Sequence, residues 1–128
     1  MSLRGSCPIV AVRDVAESTR FYTETLGFQQ VIDNAEHGFS LVRRGAAMIG
    51  LVHGADEQAL RATAMNVSAQ IWIENVDALW SELKDRLEQL PEGRVRAPFT
   101  QSYGTREFHV KCPDGFLMLF TQDDSLED

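Results

Sequence analysis

The chain is 128 residues long, 44% hydrophobic and 24% charged, with a formal net charge of −7. That length gives room for one domain, expected to span 1–128, and the composition excludes a disordered or fibrous chain. The acidic balance argues against nucleic acid as a partner, and no run approaches the roughly 18 apolar residues of a membrane span.

The first residues hold no apolar signal core. The two cysteines, Cys7 and Cys112, are too far apart for a disulfide framework or a clustered zinc spacing. A cytoplasmic, reducing setting is therefore expected. Pro8–Arg13 reads as a strand. Asp14 stands as a helix N-cap with Glu17 three residues on, a capping-box pattern. The helix is expected to run to about Leu26, with Gly27 in the left-handed position that ends it. Gln29–Asp33 is a weaker strand, and His37 beside Gly38 reads as a turn. Phe39–Val42 and Ala47–Ile49 form a hairpin around Arg44-Gly45. A short helix is expected around Glu57–Thr63.

The pattern then repeats. Gln70–Ile73 reads as a strand and Asn75 as an N-cap. Val76, Leu79, Trp80, Leu83 and Leu87 follow at helical spacing, and Pro91 stops them. Arg94–Phe99 is the weaker strand, inside a partly looped stretch from Pro91 to Thr105. Val12 matches Ile73 at an offset of 61, Phe39-Ser40-Leu41-Val42 matches Phe108-His109-Val110-Lys111 at 69, and Ala47-Met48-Ile49 matches Leu117-Met118-Leu119 at 70. The second hairpin turns at Pro113-Asp114-Gly115, where proline presets φ, aspartate bonds the backbone locally and glycine accepts positive φ. The fold class is α+β: a tandem βαβββ repeat, with modules at 7–53 and 68–122 and a linker at 54–67. A module of about 60 residues buries little core alone, so two must pair.

Val12-Arg13-Asp14-Val15, then Phe21-Tyr22 and Leu26-Gly27-Phe28, resemble the vicinal oxygen chelate superfamily of glyoxalases, dioxygenases and drug-resistance proteins. Tyr103-Gly104-x-Arg106-Glu107-Phe108, followed by Pro113-Asp114-Gly115, is most similar to its bleomycin-resistance branch. The resemblance implies an incomplete mixed β-barrel from each module, pairing of modules in a homodimer, and in metal-using members a divalent ion held by His and Glu. The ligand positions it implies fall on Cys7, Ile49, Ser68 and Leu119. One thiol, one hydroxyl and two aliphatic groups cannot hold such an ion, so neither metal nor other cofactor is expected.

Strand alternation assigns the cavity wall. Cys7, Ile9, Ala11 and Arg13 share one face of the first strand, with Val10 and Val12 on the other. Ser68, Gln70 and Trp72 share a face, with Ile71 and Ile73 packing beneath. Ile49 is expected to bring Leu51 and His53 to the wall. Glu107 and His109 join it from the strand before Pro113, and Leu117, Leu119 and Thr121 complete it. Phe99 and Tyr103 are candidates to cover it. The expected ligand contacts are Arg13, His53, Gln70, Trp72, Phe99, Tyr103, Glu107, His109 and Leu119. His109 and Glu107 are also the weak candidates for acid–base catalysis. Cys7 has no visible base beside it and reads as inert.

Two functions compete. One is metal-free binding of a small molecule, cationic or aromatic, as drug-resistance members sequester theirs. The other is a lyase, isomerase or dioxygenase acting on a small oxygenated substrate. A third reading fills the groove with its own Ile49, Trp72 and Leu119.

Overall fold

The computed structural model describes residues 1–122. Its elements run β1 (Ile9–Val12), α1 (Val15–Arg20), β2 (Gln29–Asn34), β3 (Phe39–Arg44), β4 (Ala47–His53), α2 (Glu57–Asn66), β5 (Ser68–Trp72), α3 (Val76–Leu87), β6 (Val95–Thr100), β7 (Arg106–Lys111) and β8 (Leu117–Gln122). They form two four-stranded sheets, ordered β1-β4-β3-β2 and β5-β8-β7-β6, neither closed into a barrel. In each, the first strand runs parallel to the last and the other pairs are antiparallel. This is the α+β, doubled βαβββ arrangement expected. The chain divides into two compact units. Unit 1 is Met1–Asn66 with Pro113–Phe116, and unit 2 is Val67–Cys112 with Leu117 onward.

In unit 1 the Asp14 carboxylate accepts from the Glu17 amide at 3.0 Å, capping α1. The helix is regular only to Arg20 and continues as a wide π-type turn over Phe21–Thr25. That turn brings Tyr22 against both Phe21 and Phe28, edge-on at 5.7 and 5.6 Å. Gly27 takes φ 76° and ends it as expected. Helix α2 runs a turn beyond Thr63, to Asn66, and buries Leu60.

The register of β4 corrects the expected wall. Val10 lies beside Leu51 and Val12 beside His53, while Ile9 lies beside Gly50. Partners across a ladder share a face, so Ile49 and Leu51, both fully buried, point to the helix layer with Val10 and Val42. The helix-free face carries Met48, Gly50 and Val52 instead. The approach is close there: a Cβ on Gly50 would stand 3.1 Å from Ile9 Cγ1. The residue matching Leu119 is therefore Gly50, not Ile49. The hairpin offsets are therefore one shorter than the sequence match suggests: Leu41 and Gly50 beside Ile9 stand where His109 and Leu119 stand beside Gln70. One residue of slip turns every side chain over.

Unit 2 follows the expected faces. Phe108, Val110, Met118 and Phe120 are buried beneath α3. Phe108 stacks on Phe120 at 4.8 Å and meets Trp80 edge-on at 5.3 Å. Asn75 caps α3 by accepting from the Ala78 amide at 3.0 Å. Arg106 grips Asp77 in the first turn of α3 with two 2.9 Å bonds, so it faces the helix while its neighbour Glu107 faces away.

In the Pro113–Gly115 turn Gly115 takes the expected positive φ, 92°, but the aspartate does not bond locally. Asp114 itself takes the left-handed φ of 71°. Its carboxylate makes no local bond: it accepts from the Arg13 backbone amide at 2.8 Å and from Arg13 Nη1 at 2.6 Å. These bonds hold the turn in unit 1.

Candidate functional site

The helix-free face of unit 2 gathers most of the expected ligand contacts into two rows. Cross-strand pairing aligns Trp72, Thr121, Glu107 and Phe99 in one, and Gln70, Leu119, His109 and Arg96 in the next. Trp72 is 51% exposed. Its indole, beside Thr121 of β8, is open to stacking.

Glu107 is the buried centre of this face, only 2% exposed. It accepts four hydrogen bonds: from Gln101 Nε2 at 2.8 Å, His109 Nε2 at 2.7 Å, Thr105 Oγ1 at 3.2 Å and Thr121 Oγ1 at 3.4 Å. Burial works against its charge. The bonds from Gln101, His109 and Thr105 outweigh burial and hold the carboxyl below its ordinary value. An ionised carboxylate only accepts, so His109 Nε2 carries the hydrogen. Gln70 extends the network by donating to Thr121 Oγ1 at 3.2 Å. The His109 ring is also held by Phe99, edge-on at 5.1 Å. Its Nδ1 makes no hydrogen bond among the described residues.

Tyr103 stands on the β6–β7 loop, 70% exposed. Arg13 and His53 belong to unit 1. The Arg13 guanidinium is taken up by Asp114 and by a two-pronged pair with Glu57 at 2.9 and 2.7 Å; those bonds with Glu57 raise its pKa. His53 donates toward the Arg13 carbonyl at 3.1 Å and lines an open cleft of about 880 Å³ with Phe39, Val52 and His37. Neither residue stands on the face that carries Trp72. Burial pushes the Cys7 thiol up, against a smaller opposing effect of the Gly50 backbone, which fits an inert cysteine.

The sequence profile of the Glyoxalase/Bleomycin resistance protein/Dioxygenase superfamily matches residues 7–120. The chain belongs to this superfamily. Among curated proteins no sequence relative matches. The fold is similar to that of the bleomycin-binding protein from bleomycin-producing Streptomyces verticillus, solved with copper(II)-bleomycin: 25% identity, TM-score 0.78, covering 97% of this chain and 99% of that one. It is also similar to a bleomycin resistance determinant encoded on the transposon Tn5, at 24% identity and TM-score 0.75 over 95% and 99% of the two chains. A lactoylglutathione lyase from Agrobacterium tumefaciens shares the fold at 15% identity and TM-score 0.66, over 98% of both.

Metal-using members of the superfamily set a test for the donor atoms. With the register corrected, the implied positions hold Cys7, Gly50, Ser68 and Leu119. Gly50 offers no side chain and Leu119 no donor. The nearby Glu107 and His109 Nε2 are committed to each other. Among the described residues no three His, Cys, Asp or Glu side chains converge. This donor set does not fit a divalent ion.

Sequence reasoning missed Arg96, Gln101 and Thr105. A bulge between Arg96 and Phe99 puts both on the same face, although strict alternation sets residues three apart on opposite faces. Gln101 and Thr105 act from a loop, where no periodicity signals direction.

Proposed function

We propose that the protein binds a small aromatic molecule on the helix-free face of unit 2, without a metal and without turning it over. The exposed Trp72, in one row with a buried, fully hydrogen-bonded carboxylate, carries this reading. A rigid polar network beside an open ring surface suits orientation of a ligand. The bleomycin complex of the Streptomyces protein supports sequestration of a bulky aromatic drug, and hence drug resistance. Two free cysteines, Cys7 and Cys112, suit a reducing cytoplasm. Ile9 at 65% and Ile32 at 43% exposure leave apolar surface on unit 1 that supports a homodimer.

Titration calorimetry with metal-free and copper-loaded bleomycin tests the reading. Binding that falls at least ten-fold in W72A, with bleomycin recovered intact, supports it. No binding of either form, or affinity unchanged in W72A, removes it. Sedimentation of the free chain tests the dimer.

The 2.7 Å bond between His109 and Glu107 favours a second reading, a general base with His109 Nδ1 as the acceptor of a substrate proton. Any turnover found must then disappear in H109A; turnover that survives excludes this base.

A further inference from the structure

The arginines of this chain differ in what occupies them. Arg13 is held by Glu57 and Asp114, Arg106 by Asp77, and Arg44 reaches the Leu26 carbonyl at 2.9 Å. Arg96 has no hydrogen bond or ion pair among the described residues. It is nonetheless held in place, because its guanidinium carbon lies 3.5 Å from the centroid of the Phe99 ring. Stacking fixes the plane and leaves five N–H donors at its edge without acceptors. Arg96 is also the cross-strand partner of His109, and Lys111 follows two residues along β7 on the same face. The carboxylate of this face, Glu107, already accepts four bonds and is buried. The local surface therefore offers donors and positive charge, although the whole chain carries −7.

We propose that Arg96 is an anion subsite, and that the ligand of this face is an elongated aromatic molecule bearing a carboxylate. A flat guanidinium held by stacking matches a carboxylate edge to edge through two parallel hydrogen bonds. Trp72 on β5 and Phe99 on β6 are three strand spacings apart, about 14 Å along the sheet. The ring end of the ligand rests toward Trp72 and its carboxylate at Arg96. This inference rests on the aromatic-binding reading above and gives that reading a charge preference opposite to the one net charge suggests.

Three ligands of one shape separate the possibilities: biphenyl-4-carboxylate, its carboxamide and its carboxamidine. Each is titrated calorimetrically against the whole chain at low salt, with the Arg96 Nε–H followed by NMR. The carboxylate is expected to bind about ten-fold tighter than the amide, the worth of one charge-assisted pair, and the amidine weakest. R96Q should erase the gap between acid and amide, and R96M should do the same if R96Q perturbs the fold. W72A should weaken all three alike. Equal binding of acid and amide, or tightest binding of the amidine, overturns the anion subsite and leaves the aromatic reading standing. Failure of all three to bind overturns the anion subsite, and the bleomycin titration alone then decides the aromatic reading.

Discussion

The two sheets present the same lattice with different contents. In unit 1 the row Ile9, Gly50, Leu41 and Ile32 crosses the helix-free face. Its counterpart in unit 2 is Gln70, Leu119, His109 and Arg96. In the adjacent row, Ala11, Val52, Phe39 and Asn34 stand where unit 2 has Trp72, Thr121, Glu107 and Phe99. Even the irregularity recurs, a bulge in the weaker strand of each module. One backbone therefore supports a nearly all-hydrocarbon face and a hydrogen-bonded one. Strand pairing sets where side chains point, and composition at those points decides whether the face packs or does chemistry.

The helix-covered faces differ too, and the largest effect is expected there. Ser40 and Phe108 occupy equivalent positions, both fully buried. Ser40 receives a bond from Gln30 Nε2 at 3.2 Å, whereas Phe108 sits between Phe120 and Trp80. F108A should destabilise the chain by about 3–5 kcal/mol in urea unfolding, by loss of transfer energy and the cavity left behind. S40A should cost about 1 kcal/mol or less. Similar costs for both would mean that the two modules share one kind of core after all.

The polar face gives the next effect. E107Q keeps the shape of the side chain but turns one acceptor into a donor facing donors, at a cost of about 2–3 kcal/mol. The pH dependence has a definite sign. The folded carboxyl of Glu107 lies below its ordinary value, so its contribution is fully present above the unfolded pKa of about 4.3. It is lost as pH falls through the lower folded value. Denaturant unfolding of wild type and E107Q at successive pH values should therefore show a gap that is constant near neutrality and closes only in acid. A gap that widens on acidification contradicts the charge state assigned to Glu107.

What could be read beforehand follows the same division. Caps at Asp14 and Asn75, Gly27 and the helical spacing up to Leu87 are local signals, and the structure shows each of them. The faces of β5, β7 and β8 were legible because apolar and polar residues alternate there. On β4 they were not: Ala47 to Val52 is apolar throughout, so alternation carries no information and a one-residue slip passes unnoticed. The site was legible as far as Trp72, Glu107 and His109. Arg96 was hidden by its bulge. The partner of Asp114 lies 101 residues away and leaves no trace in its own turn.

That long-range contact separates strain from bonding. Asp114 holds a left-handed φ of 71°, which favours glycine, and gains two short bonds from Arg13 by doing so. D114A loses the bonds and keeps the strain, at about 2 kcal/mol. D114G loses the same bonds but relieves the backbone, so it should be about 1 kcal/mol less damaging than D114A. The corresponding turn between β3 and β4 already has Gly45 at φ 59°. Equal melting temperatures for the two variants would show that the backbone stores no strain there.

The smallest effect is expected at Arg106 and Asp77. Their geometry is as good as that of Arg13 with Glu57, two bonds at 2.9 Å, and the Arg106 bond lowers the Asp77 pKa. Both side chains are nonetheless open to water, at 39% and 60% exposure. Solvent screens the attraction and ordering two side chains opposes it, so a double-mutant cycle of R106A and D77A should return a coupling near zero that falls further with salt. Glu107, one residue away, makes bonds of similar length but is buried, and its loss should cost several times more. The contrast tests burial as the deciding variable. A coupling at Arg106 as large as the cost of E107Q would show that geometry alone sets the strength of these polar contacts.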